Sequence, residues 1–150
     1  MRKSYIALFL SLVIITVSMM PVMAGRPLER NHARHVFRRT ALVIVAAQKA
    51  AREGKEYAGL GRAVGHHRFA RKLYRDGFYF RAITHSLRAR MFAIRVLRRN
   101  KAELIKEAFD KIENAYVKKM PPDDHLDRQV KNDAETDQNA VDVDIEVDIN

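Results

Sequence analysis

The chain has 150 residues, a length that suits one domain, and it contains no cysteine, which excludes disulfides, thiolate zinc sites and lipid attachment through an N-terminal cysteine. The net charge of +10 is unevenly placed: residues 25–121 carry 24 Lys+Arg against 8 Asp+Glu, a net +16, and residues 122–150 carry 2 against 10, a net −8. A polycationic body with a polyanionic tail directs attention to charged partners.

Residues 1–24 read as a signal peptide. Arg2 and Lys3 precede an apolar run from Tyr5 to Met20, and the small residues Val22 and Ala24 stand before Gly25 as at a cleavage site. Export, to the periplasm or beyond the cell, is the expectation. The apolar stretch 5–23 also approaches a membrane span, and Arg26, Arg30, Arg34, Arg38 and Arg39 behind it suit a basic flank held inside. A membrane anchor is therefore the alternative.

A helix is predicted from about Leu28 to Arg52, with Val36, Thr40, Val43, Ile44, Ala47, Ala50 and Ala51 on one stripe. The run Ala41 to Ala47 is apolar all round, which marks the most buried helix. Gly54 ends it, and a loop runs to Gly61. Glycines 54, 59, 61 and 65 crowd this stretch, yet no Gly-Lys-Ser/Thr element follows, so they read as a linker and not as a phosphate loop.

Two amphipathic helices follow, meeting at Asp76-Gly77. Phe69, Ala70, Leu73, Tyr74 and His66 share one face of the first, and Tyr79, Ile83, Ser86, Leu87, Ile94 and Leu97 line the second. His66 and Arg90 interrupt these apolar arcs. In an antiparallel hairpin rising ~1.5 Å per residue they come to similar heights. One reading is a polar pocket of His66, Ser86 and Arg90; the other takes Arg90 past the apolar edge to a carboxylate on a neighbouring helix.

Asn100 and Glu103 have capping-box spacing, which predicts a fourth helix with Ile105, Ala108, Phe109, Ile112, Ala115 and Tyr116 inward and Glu103, Lys106, Glu107, Asp110 and Lys111 in solvent. Pro121-Pro122 closes the basic domain, residues 25–121. The acidic tail, 122–150, is expected to be mostly disordered, although residues 141–149 alternate as a strand would. The fold class is thus all-α: a small antiparallel bundle of about four helices after the signal segment, with a disordered acidic tail.

Phe69, Leu73, Tyr74, Gly77, Tyr79, Ala82, Ile83 and Ala89 give residues 66–99 a resemblance to a single tetratricopeptide-type hairpin, and HEPN-type helical domains share the same glycine-aromatic-alanine rhythm. The resemblance implies a helical binding scaffold and not an enzyme.

Catalytic and metal chemistry finds little footing. Ser86, the one serine after the leader, adjoins His85, and adjacent helical residues point ~100° apart, so no nucleophile–base pair is set up. His-Glu-x-x-His is absent. His32 and His35 fall near one end of the bundle and His66 near the other, so no metal site, cofactor or enzyme activity is expected. Arginines remain: Arg68, Arg71, Arg75, Arg81, Arg88, Arg95 and Arg99 suit bidentate contact with anions. The expected function is a non-enzymatic binding module for anionic lipid, polysaccharide or an acidic protein in the cell envelope, with nucleic acid disfavoured by export. The alternatives are a tetratricopeptide-like scaffold for a peptide or protein partner, and a small-ligand pocket or enzyme around His66, Ser86 and Arg90.

Overall fold

The computed structural model describes residues 26–103, 109–130 and 137–147. Its helices are α1 (Arg26–Gly54), α2 (Leu60–Arg75), α3 (Tyr79–Arg99), α4 (Lys111–Val117) and α5 (Asp123–Arg128), followed by a 3-10 turn (Asn139–Asp142). No strand occurs among the described residues. The all-α expectation holds. Residues 1–24, read from the sequence as a signal peptide, lie outside the described residues, and no described helix is long and apolar enough to cross a membrane.

The core is a three-helix unit with α3 as its centre, packed along both α1 and α2. Short connections make consecutive helices antiparallel: Arg34 near the start of α1 meets Tyr74 at the end of α2. One apolar cluster joins Ile44, Ala47, Ala51, Leu60, Val64, Phe92 and Val96. A second joins Ala33, Val36, Phe37, Leu73, Tyr74, Ile83 and Leu87 toward the other end. Alanines recur at the contacts and let the axes approach, as the 3–4-residue spacing of buried positions requires. Leu42 and Val45 are about half exposed, at 51% and 43%. The all-round apolar run of α1 therefore keeps one face open, because α2 and α3 lie on its other side.

Gly77 ends α2 at φ 83°, and the N–H groups of Gly77 and Phe78 return to the carbonyls of Tyr74 and Leu73 at 3.1 and 2.9 Å. A left-handed residue at that point lets the chain reverse after one turn, the role expected for Gly77. The end of α3 departs from expectation. Asn100 does not open a helix; it closes α3, and its side chain holds the α1–α2 loop through Glu56 N–H (3.2 Å) and Glu56 carbonyl (2.8 Å). Lys101 follows at φ 54°, so the chain leaves the helical path there.

Among the described residues the next cap is at Asp110. Asp110 accepts from the Glu113 N–H and Glu113 from the Asp110 N–H, both at 2.9 Å, a reciprocal capping box that starts α4. Residues 104–108, which carry part of the predicted stripe, lie outside the described residues. Of its remainder, Ile112 and Ala115 are exposed, and Phe109 and Tyr116 are half-buried. Asp110, expected in solvent, is partly covered.

The tail departs most. Described parts of it are ordered against the bundle: α5 buries Leu126, the following turn buries Val130, and Ala140, Val141 and Ile145 enter the first apolar cluster. Gln48 donates to the carbonyls of Ala140 and Val143 at 2.9 and 2.7 Å, and Arg52 to that of Val141 at 2.8 Å. Residues 143–147 form no strand. The alternation that reads as a half-buried strand still sorts side chains: Val141, Val143, Ile145 and Val147 pack toward the bundle, and Asp142, Asp144 and Glu146 stay exposed. Asp137 receives the N–H groups of Gly59 and Gly61 at 3.0 and 2.9 Å, placing a carboxylate at the N-terminus of α2, where unpaired donors and the helix dipole favour it.

Candidate functional site: a basic cleft beside two buried polar networks

Three groups of polar residues stand out among the described residues, two on different faces of α3 and one between α2 and the tail. The first is the environment of Arg90. Its side chain is 1% exposed and pairs with Glu113, 0% exposed, at 2.7 Å. It also donates to Thr40 Oγ1 (3.1 Å) and the Val36 carbonyl (2.9 Å) where α1 passes beneath it. Burial lowers the guanidinium's pKa and Glu113 opposes that shift. Arg90 does not snorkel to the edge. It reaches a carboxylate on a neighbouring helix, but one sealed inside the protein.

Around that pair, Arg39 Nη1 lies 2.6 Å from Asp110 Oδ2 and 3.2 Å from Glu113 Oε2, and His35 Nε2 lies 2.6 Å from the same Asp110 oxygen. Burial raises the Asp110 pKa, but the Glu113 N–H, His35 and Arg39 outweigh it and hold the carboxyl down to about 2. His35, Asp110 and Glu113 have the spacing of a metal triad. Two guanidiniums already supply the positive charge these carboxylates need, so the cluster is an ion-pair network.

The second group contains His66. Its Nδ1 lies 3.0 Å from His85 Nδ1 and its Nε2 3.1 Å from Asp127 Oδ1, while His85 Nε2 meets Gln129 Oε1 at 3.2 Å. Arg88, 3% exposed, forks onto both Asp127 oxygens at 2.8 and 2.7 Å, reaches Asp123 at 2.5 Å, and lies over the Phe92 ring. Burial disfavours the Arg88 charge, but Asp127 and Asp123 outweigh it and raise the pKa. Burial, then the neighbouring His85, pushes His66 down to about 4, and burial likewise takes His85 to about 4. Both imidazoles are neutral near pH 7 and have two N–H groups between them for the three contacts to Asp127, to Gln129 and to each other, so one of the three is a close approach without a hydrogen. This network clips α5 to the bundle.

The predicted grouping of His66, Ser86 and Arg90 therefore divides. His66 faces α5, Arg90 faces α1 and α4, and Ser86 lies buried with its carbonyl accepting from Thr40 at 3.3 Å. His66 touches His85 and Phe92, which bracket Arg90 along α3, but His66 and Arg90 turn to different neighbours.

The third group is open to solvent. His67, Arg68, Arg71 and Arg75 of α2, with Asp144, Ile145 and Glu146 of the tail, line a cleft of about 440 Å³. Arg68, Arg71 and Arg75 recur at three- and four-residue spacing, which puts them on one face. Arg71 donates to the Glu146 carboxylate, and its other terminal nitrogen reaches the Glu146 carbonyl at 3.1 Å. His67 is 2% exposed, and neither ring nitrogen has a hydrogen-bond partner among the described residues. Burial, then the field of Arg71, pushes its pKa down to about 4.

The other predicted arginines lie elsewhere. Arg81 bonds Gln129 and lies by Phe78, Arg95 lies over Phe92, and Arg99 donates to the Ala58 carbonyl. Arg88 is internal and already paired, so it offers no anion contact to a partner. Sequence reasoning missed Glu113, Asp127, Gln129, Glu146 and His67. The capping spacing Asp110–Glu113 was a legible signal for the first; the rest had none. No family model, curated protein or solved structure matches the chain.

Proposed function

We propose that this protein is an exported, non-enzymatic helical module that binds an anionic partner through the basic face of α2, with its acidic tail competing for the same arginines. One observation carries the reading: a carboxylate of the chain's own tail, Glu146, is seated on Arg71 in the cleft of Arg68, Arg71 and Arg75. A site that attracts an internal anion at the surface attracts an external one of higher charge. The absence of a catalytic role is supported by the environment of the histidines and serine: His66 and His85 are spent on each other and on α5, and Ser86 is sealed.

The test is retention of the full chain on immobilised heparin along a salt gradient, comparing wild type with the double variant D144N/E146Q. Deleting the whole tail is unsuitable, because Leu126, Ala140, Val141 and Ile145 are part of the core. The neutralised tail is expected to elute at higher salt. Equal elution of the two proteins rejects competition by the tail, and failure of either to bind at low salt rejects the module.

A further inference from the structure

Residues 139–147 lie against α1 and α2 as a bound peptide does, held by side chains and not by secondary structure. Among the described residues, no main-chain-to-main-chain hydrogen bond joins the segment to either helix. The donors are side chains aimed at its carbonyls: Gln48 at those of Ala140 and Val143, Arg52 at that of Val141, and Arg71 at that of Glu146. Any residue offers a carbonyl, so these contacts hold a backbone without reading its sequence. Reading falls to the side chains. Val141 and Ile145 are buried in the first apolar cluster, while Asp142 pairs with Arg52 at 3.2 Å and Glu146 pairs with Arg71. Val143 has the extended dihedrals φ −68° and ψ 127°, and the buried and exposed positions after it alternate as in an extended chain.

We propose that the groove between α1 and α2 is a peptide-binding surface, and that its partner is an extended segment of another protein with aliphatic residues at alternate positions and acidic ones between them. The inference rests on the anion-binding reading and names the partner's chemistry. Grooves take extended peptides in this way, with backbone contacts supplying affinity and alternate side chains supplying specificity. Residues 139–147 are the resident occupant in cis. Without a ladder of main-chain bonds to the helices, the segment belongs to the low-stability end of the fold. Exchange leaves the packing of α3 on α1 and α2 in place, and an incoming aliphatic side chain refills the position that Val141 or Ile145 vacates. Charge supplies the attraction: residues 25–121 carry a net +16, and Arg52 and Arg71 stand where the acidic side chains fall. The tail of a second copy fits less well. Asp127 and Leu126 fix α5 to its own bundle, and the seven residues from 131 to 137 reach roughly 25 Å at full extension. Two bodies of net +16 would have to stand that close.

A tethered occupant competes at an effective concentration on the order of millimolar. A free peptide of the same sequence therefore binds the wild-type chain only near that concentration, whatever the intrinsic affinity of the groove. The experiment weakens the resident first. Fluorescein-labelled peptide of residues 139–150 is added to the full chain carrying I145N/E146Q, and its anisotropy is followed. Binding on the order of tenfold or more tighter than to wild type is expected, the worth of the buried Ile145 side chain. The ratio of affinities for this peptide and its Glu146→Gln form is independent of the resident. It is expected to be about two- to fivefold in I145N/E146Q and to fall to unity when R71M is added.

Equal affinity of the wild-type and I145N/E146Q chains, or a peptide ratio that R71M leaves unchanged, overturns the groove. Should I145N/E146Q fail to fold, D142N/E146Q takes its place with the apolar anchors intact and an expected gain of about two- to fivefold. Binding no tighter than to wild type then overturns the proposal. A wild-type chain that sediments as a dimer, and as a monomer in I145N/E146Q, assigns the groove to a second copy and overturns the partner named here. Heparin retention that survives without peptide binding rejects the peptide groove alone; loss of both rejects the anion-binding reading as well.

Discussion

Replacing Glu113 with glutamine tests the buried ion pair at the centre of the fold. Arg90 and Glu113 are 1% and 0% exposed and 2.7 Å apart, so neither charge has water to return to. The amide keeps nearly the same volume, and its oxygen can still accept the Asp110 N–H, so the start of α4 is retained. What is lost is the charge that compensates Arg90. An uncompensated buried charge costs about 3–5 kcal/mol, a large part of the ~5–15 kcal/mol that holds a domain of this size together. Thr40 and the Val36 carbonyl still accept from the guanidinium, which places the expected loss near the lower end of that range. The double variant R90M/E113Q removes the stranded charge and should recover most of the loss, because apolar replacement of a buried pair is often neutral. Urea unfolding of the full chain, followed by helical circular dichroism, gives both numbers. An E113Q variant within about 1 kcal/mol of wild type would falsify the reasoning, as would a double variant no better than E113Q; the threshold is the usual worth of an exposed pair.

Acid should loosen the fold before the carboxylates titrate. His66, His67 and His85 are held to about 4 in the folded protein against 6.5 in the unfolded chain, so between those values the unfolded state binds more protons. Stability is therefore fully present above pH 6.5, falls as pH drops toward 4, and levels off below it as far as these groups are concerned. The full window is worth roughly 3 kcal/mol per histidine, less for His66 and His85 because they titrate as a pair beside Asp127, Arg88, Arg81 and His125. Equal urea midpoints at pH 7 and pH 5 would contradict this. H67F should shallow the slope, since burial and then the Arg71 charge hold this imidazole neutral in the folded protein. Gly54→Ala should destabilise despite alanine's higher helix propensity: a Cβ there would collide with Asn100 Oδ1 and push aside the side chain that ties the α1–α2 loop. Thermal unfolding of G54A at or above the wild-type midpoint would count against that contact.

Periodicity made the three long helices and their turn legible. Val36, Ile44, Ala47 and Ala51, or Ile83, Leu87 and Leu97, repeat at intervals that one helical face alone can bury, and Gly77 sits where the chain must enter the left-handed region. Capping was legible in kind but not in place. Asn100–Glu103 and Asp110–Glu113 have the same spacing, and local chemistry does not say which pair is used. The choice falls on the second because Arg39 of α1 and Arg90 of α3 meet Asp110 and Glu113 there, a contact between elements distant in the chain.

The tail shows the same division more sharply. Its acidity is a property of composition and argued for solvation, yet its alternating Val and Ile residues bury one side against α1 and α2 once Gln48 and Arg52 bind its carbonyls. The site residues divide likewise. That α2 carries arginines at helical spacing is written in the sequence, and so is the presence of a charge within the apolar arc of α3. Which arginines stay at the surface, which, like Arg88, are consumed by internal carboxylates, and that His66 and Arg90 face different neighbours were decided by tertiary structure. The physical reason is that a sequence fixes a side chain's angle around its own helix, whereas a charge's partner depends on which other helix arrives at that angle.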